Sequence, residues 1–259
     1  MELRLLPTLR AGLPRLPVAL LLAGMLTLAG CGRAPAPTAP KPLVTVAGPM
    51  QPTMGVPDAA RQVQELRTRI AQTYQQASFL KAGLKTYIRN IQTGKSSRYS
   101  LDCWFQRPNR TAIKVLESTE ASTIGTNMIL DGSGQIRVRT MFAGFWVTTS
   151  VADTDERTKT ARGDTMNDTS LPRMMQVLLD PQAQVQHLGQ TVVAGRQMAI
   201  LEVRSRLSLP RVTVERYAID LSTAMPYSRE CYEGNQLTYQ LTLDGVRLNQ
   251  PDSTAFNLE

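Results

Sequence analysis

The chain has 259 residues, 29 Lys and Arg against 21 Asp and Glu, a single histidine and three cysteines. Its charge of +8 is modest, mostly Arg, and never gathered into a dense block. Nucleic-acid binding is therefore not indicated, although a weaker attraction to anionic lipid headgroups fits. One histidine with so few thiols also argues against a standard zinc site.

The first thirty residues read as a targeting segment, outside the folded domain. Arg4, Arg10 and Arg15 precede an apolar run from Leu16 to Leu28, which is short for a permanent membrane helix. The run ends Leu28-Ala29-Gly30-Cys31, which resembles a bacterial lipobox. The resemblance implies a diacylglyceryl thioether on Cys31 and cleavage just before it. It also implies a location in the cell envelope, most simply the periplasmic face of the outer membrane. Acyl chains contribute roughly 0.8 kcal/mol per buried CH₂, enough for stable anchoring when several are present. Residues 32–57 hold seven prolines and read as an extended tether, which at about 3 Å per residue reaches several nanometres. This divides the chain into a signal peptide (1–30), the lipidated cysteine and tether (31–57), and a single domain (58–259).

Asp58 is a suitable N-cap, and Val63, Leu66, Ile70 and Tyr74 recur at helical spacing, predicting a helix over about 58–77. The period then falls to two. In "RYSLDCWFQRP", Tyr99, Leu101, Cys103 and Phe105 share one face, and "TAIKVLES" follows with Ile113 and Val115 on one side. "NMILDGSGQIRVR" predicts two strands joined by a tight Asp131–Gly134 turn, and "FWVTTSV" another strand. "DTDERTKTARGDTMNDTS" reads as a solvated polar loop without calcium-ligand spacing. "LPRMMQVLLDP" predicts a short helix, capped by Ser170, with Leu171, Met174, Met175, Leu178 and Leu179 on one side. Further strands are predicted at 183–193, 196–206, 211–221, 226–233 and 236–243.

So many antiparallel strands with few crossovers must curl, because a long open sheet leaves edges and an uncovered face. The predicted class is α+β, mostly β: a strongly curved sheet or half-open antiparallel barrel with helices over its concave side. No catalytic constellation emerges, so an enzyme is not expected, nor a cofactor or metal. His187, among polar neighbours in "QVQHLGQ", reads as a surface residue. Cys103 and Cys231 are either two core thiols or a disulfide, which an envelope location permits.

Several segments taken in order resemble the LolA/LolB-type lipoprotein-sorting family over about 58–259. They are "LRTRIAQTYQQASFLKAGLK", the strand ending Arg107-Pro108-Asn109, Asp131-Gly132, "IDLSTAMPYSRECYEGNQ", and "LNQPDSTAFNLE", which is similar to that family's C-terminal strand. The resemblance implies an apolar cavity for acyl chains of lipids or lipoproteins. Its lining would come from Leu84, Ile88, Tyr99, Leu101, Phe105, Ile113, Val115 and Leu130, and its lid from Met174, Met175, Leu178 and Leu179. Ordinary core packing is the alternative for each of these residues taken singly. The family's Arg-Pro arginine holds a helical lid closed by hydrogen bonds, a position occupied here by Arg107. Four residues on, Thr111 departs from the carriers' apolar residue, and the lipid anchor departs from a soluble shuttle. Both departures favour an anchored acceptor or lipid-binding relative, and a monomer is expected. Some relatives bind an envelope protein as well, so a protein-interaction or stress-sensing module is the alternative reading.

Overall fold

The computed structural model describes residues 38–42 and 56–258. Cys31 and most of the 31–57 segment lie outside the described residues. In chain order the domain runs α1 (Val56–Gln76), β1 (Phe79–Arg89), β2 (Ser96–Gln106), β3 (Arg110–Ser118), β4 (Asn127–Leu130), β5 (Gln135–Phe142) and β6 (Phe145–Ala152). It continues with α2 (Leu171–Leu179), β7 (Gln184–Val193), β8 (Arg196–Arg204), β9 (Val214–Asp220), β10 (Met225–Glu233) and β11 (Gln236–Leu248).

All eleven strands form one sheet in the order β6-β5-β4-β3-β2-β1-β11-β10-β9-β8-β7. Each neighbouring pair is antiparallel, and the first and last strands of the domain meet at the β1–β11 pair. The sheet does not close, since β6 and β7 end it on either side. Register shifts interrupt β1–β11, β2–β3, β10–β11, β9–β10 and β7–β8, and such bulges bend and twist the strands they interrupt. The result is the predicted half-open curved sheet.

Both helices pack on the concave side. Val63, Leu66 and Ile70 of α1 and Met174, Met175, Val177 and Leu178 of α2 join one apolar cluster with Leu80, Ile88, Phe105, Leu201, Tyr217 and Leu241 of the sheet. Ser170 caps α2 as expected, its hydroxyl accepting from the Arg173 amide. A smaller cluster of Leu130, Ile136, Val151 and Met166 fills the concave face of β4–β6.

Four expectations are corrected. Helix α1 begins at Val56, so Asp58 lies inside it rather than capping it. The 153–170 loop is not simply solvated, because the Arg162 and Asp164 side chains are buried. Arg162 donates to Asp164 Oδ2 (2.8 Å), Thr238 Oγ1 (3.0 Å), the Pro210 carbonyl (2.7 Å) and Glu233. One guanidinium thus stitches that loop to β10, β11 and the 205–213 connection. The last residues are not a strand. β11 stops at Leu248, Asn249 takes φ 56, and the following segment lies on the convex face. There Phe256 meets Phe79 edge-on, Asp252 accepts from Trp104 Nε1 (3.1 Å), and Leu258 packs with Ala112 and Ile129. Finally, His187 is half-buried, pairing with Leu201 on β8. That burial lowers its pKa.

Candidate functional site

Strand alternation and register place all eight expected lining residues on one face. Leu84, Leu101 and Val115 are directly opposed across β1–β2–β3. Phe105, Thr111 and Leu130 form a second such row across β2–β3–β4. Cys103, Ile113, Met128 and Val138 form a third between them, extending to β5. Ile88 and Tyr99 lie on the same side by their even spacing from Leu84 and Leu101. This is the concave face, because Ile88 and Phe105 cluster with α1 and α2. The eight differ in cover. Ile88, Phe105, Val115 and Leu130 are buried, whereas Leu84, Tyr99, Leu101 and Ile113 are only half-buried. The helices therefore leave part of the apolar band open.

The expected lid residues all lie on α2. Met174, Met175 and Leu178 are buried against the core, and Leu179 is half-buried at its margin. Met175 and Leu179 also border a cavity of about 790 Å³ between α2, the last turn of α1, and the β2–β3 and β4–β5 turns. Leu130 and Arg107 reach its wall too. Asn109, Asn167 and Gln176 add polar groups to the lining, and its size is that of a small-molecule site. Gly132 has a specific reason to be glycine at this wall. Its φ is +83, and a Cβ there would come within 2.0 Å of the Asn109 side chain.

Arg107 joins the sheet to α1. Its Nε donates to the Ala77 carbonyl at 2.9 Å, its Nη2 donates to the Tyr74 carbonyl, and its guanidinium lies 4.5 Å from the Tyr74 ring centre. Carbonyls at a helix C-terminus have no partners within the helix, and a cation there is favoured by the helix dipole. Two further arginines clamp the same helix. Arg67 donates to the Asp180 carbonyl just beyond α2 (2.7 Å), and Arg69 to the Leu221 carbonyl in the β9–β10 turn (2.9 Å).

Beneath α1 and α2 the concave face also carries charge that sequence reasoning missed. Arg229 and Glu215 are fully buried and bidentate, Nε to Oε2 at 2.8 Å and Nη2 to Oε1 at 3.0 Å. Tyr217 donates to the same carboxylate. Burial by itself would raise the Glu215 pKa, but Arg229 and the hydrogen bonds outweigh it and hold it below the usual range. The available signal was the alternation of "YSRECYE", which puts Arg229 on the same face as Cys231.

The disulfide left open by the sequence does not form. Cys103 and Cys231 are both free and buried. They stand on β2 and β10, with β1 and β11 between, a lateral gap of about 14 Å at ordinary strand spacing. A bridge requires Cα atoms within about 7 Å. Burial pushes the Cys103 thiol up to about 12, and also raises Cys231.

No family model matches the chain, and no curated protein matches it. Solved structures do. Lipoprotein LppX of Mycobacterium tuberculosis is 11% identical, with 74% of this chain and 98% of that one covered at a TM-score of 0.45. The MucA/MucB complex of Pseudomonas aeruginosa matches at 15% identity over 76% of this chain and 61% of that one, with a TM-score of 0.38. A LolA superfamily protein from Nitrosomonas europaea is 12% identical, covering 75% and 97%, at a TM-score of 0.33.

Proposed function

We propose that the protein is a non-enzymatic envelope lipoprotein, anchored through Cys31, whose domain binds acyl chains of lipids or lipoproteins. The carrying observation is the concave apolar band on β1–β4, left half-covered at Leu84, Tyr99, Leu101 and Ile113. An acyl site needs shape and apolar lining more than specific chemistry, and flexible methionines at the lid suit varied chains. Arg107 acts as the latch between α1 and the sheet beside the cavity. Anchoring at the N-terminus and the polar residue Thr111 in the Phe105–Leu130 row of the band favour an acceptor over a shuttle, with lipoprotein sorting to the outer membrane as its setting.

The test is uptake of a fluorescent fatty-acyl probe by the wild-type protein and by Leu101→Glu. The charge sits on a half-buried position, so the fold should persist by circular dichroism while probe binding is lost. Unchanged binding would remove the band from the site.

A protein partner is the second reading, and β6 is the observation that favours it. This strand, "FWVTTSVA", ends the sheet of described strands and carries no charged residue to deter pairing with a partner strand. Recovery of one stoichiometric protein with an empty apolar band would favour this reading.

A further inference from the structure

The sequence presents the proline-rich segment as a free spacer, but residues 38–42 lie against the convex face of the sheet. Their sequence, Thr-Ala-Pro-Lys-Pro, dictates an extended backbone. Proline fixes φ at about −65° and donates no hydrogen bond, and the residue before each proline is driven out of the helical region. Such a segment falls into the polyproline conformation, which repeats every three residues and leaves its carbonyls unpaired.

The surface beneath is organised to take those carbonyls. Arg98, Tyr87, Gln240, Glu230 and Arg216 are directly opposed in one row across β2, β1, β11, β10 and β9. Each alternates along its strand with residues of the concave face, so the row is convex. Arg98 donates through Nη2 to the Thr38 carbonyl, and its guanidinium lies 5.7 Å from the Tyr87 ring centre. The side-chain nitrogen of Gln240 lies 3.5 Å from the Lys41 carbonyl. The same nitrogen donates to Glu230 Oε1 at 3.0 Å, and the Tyr232 hydroxyl donates to Glu230 Oε2 at 2.7 Å. An amide nitrogen carries two hydrogens, so the carboxylate takes one and leaves the other for the segment. Gln240, Glu230 and Tyr232 are each less than a tenth exposed, so this donor is held from below rather than free to swing.

The donor spacing fits one turn of that conformation. Arg98 and Gln240 stand two strands apart with Tyr87 between them, about 9.5 Å at ordinary strand spacing. Thr38 and Lys41 are three residues apart, a polyproline turn of about 9.3 Å, so their carbonyls leave the same side of the segment. Pro40, between them, is half-buried, whereas the other four residues are exposed. A preformed polyproline turn over an aromatic surface is how proline-rich peptides are recognised.

We propose that this convex row is a docking groove for a proline-rich peptide of a partner protein, and that residues 38–42 occupy it in cis as a built-in competitor. The peptide must present two carbonyls one turn apart with a proline between them. The groove is on the face opposite the acyl band and works independently of it. Pro42 precedes Val56 of α1 by fourteen residues, so the cis segment competes at an effective concentration on the order of 1 mM.

The test uses the full chain in detergent and a fluorescein-labelled peptide of residues 37–43, PTAPKPL, followed by anisotropy. Replacing residues 38–42 with Gly-Ser-Gly-Ser-Gly empties the groove. The peptide should then bind about tenfold more tightly than to the wild-type chain, the ratio for a peptide of roughly 100 µM affinity against a cis competitor at about 1 mM. Arg98→Ala in the emptied chain should remove that gain, as should Pro40→Ala with Pro42→Ala in the peptide. Pro40→Gly with Pro42→Gly in the chain is the milder release if circular dichroism shows that the longer replacement disturbs the fold. Equal affinity for the wild-type and emptied chains, or binding to neither, would overturn the proposal. A gain on emptying that survives Arg98→Ala would also overturn it, by placing the peptide elsewhere on the domain.

Discussion

Replacing Arg107 with alanine tests the join between helix and sheet. The substitution removes the Nε bond to Ala77 (2.9 Å), the Nη2 bond to Tyr74, and a cation–π contact at 4.5 Å. Hydrogen bonds from a charged donor contribute about 1.5 kcal/mol each at the low end, the appropriate figure for a half-buried group, and the ring contact adds about 0.5 kcal/mol. The expected loss is therefore about 3.5 kcal/mol. Arg107→Lys keeps a cation near the helix end but cannot span both carbonyls, so it should recover about half. Urea unfolding gives the total, and hydrogen exchange in residues 70–77 shows where it falls. Exchange there should rise more than in the β8–β10 core, because the freed carbonyls end α1. Fatty-acyl probe should also enter faster, since Arg107 forms part of the cavity wall. An unchanged urea midpoint together with unchanged exchange in α1 would refute the latch.

Glu215→Gln should destabilise the fold by about 3–5 kcal/mol, because it leaves the Arg229 guanidinium buried without its counter-charge; thermal melts measure this, and Glu215→Leu with Arg229→Met should recover much of the loss. The same pair sets an acid limit. Glu215 contributes stability above its ordinary value of 4.5, and that contribution disappears as pH falls through its depressed folded value. Equilibrium unfolding followed from pH 6 to pH 3 should show this loss, and Glu215→Gln should flatten it. Burial lowers the His187 pKa, so its contribution is present above 6.5 and declines as pH drops from there towards its lowered folded value. His187→Gln should abolish that decline; a variant with the same pH profile would show that the ring titrates freely.

The concave band was legible because side-chain direction in a strand is a local property. Tyr99, Leu101 and Phe105 declare their shared face in sequence, and antiparallel pairing carries that face to Ile113, Val115 and Leu130. Helix α2 was legible for a similar reason, with a serine cap and an apolar stripe inside nine residues. Strand β1 reached the sequence reading only through family resemblance. Its apolar residues Phe79 and Tyr87 occur on the convex side as well, where Phe256 and Arg98 cover them, so alternation alone is blurred. The buried charges were invisible because their partners come from elsewhere in the fold. Glu215 is supplied by a neighbouring strand, and Arg162 draws on Thr238, Glu233 and Pro210, all more than 40 residues distant. The C-terminal segment contradicted its expectation because Asn249 turns the chain out of β11 before Pro251, leaving Phe256 and Leu258 to seal the convex face instead.

The central claim is that the half-covered concave band takes acyl chains. Native mass spectrometry of residues 33–259, exported without the anchor and purified without detergent, tests it most directly. The account predicts bound mass that dissociates as fatty-acyl or lipoprotein species and disappears in Leu101→Glu. An apo mass that takes up no added acyl probe would contradict it, and would make the band a packed core beneath its helices.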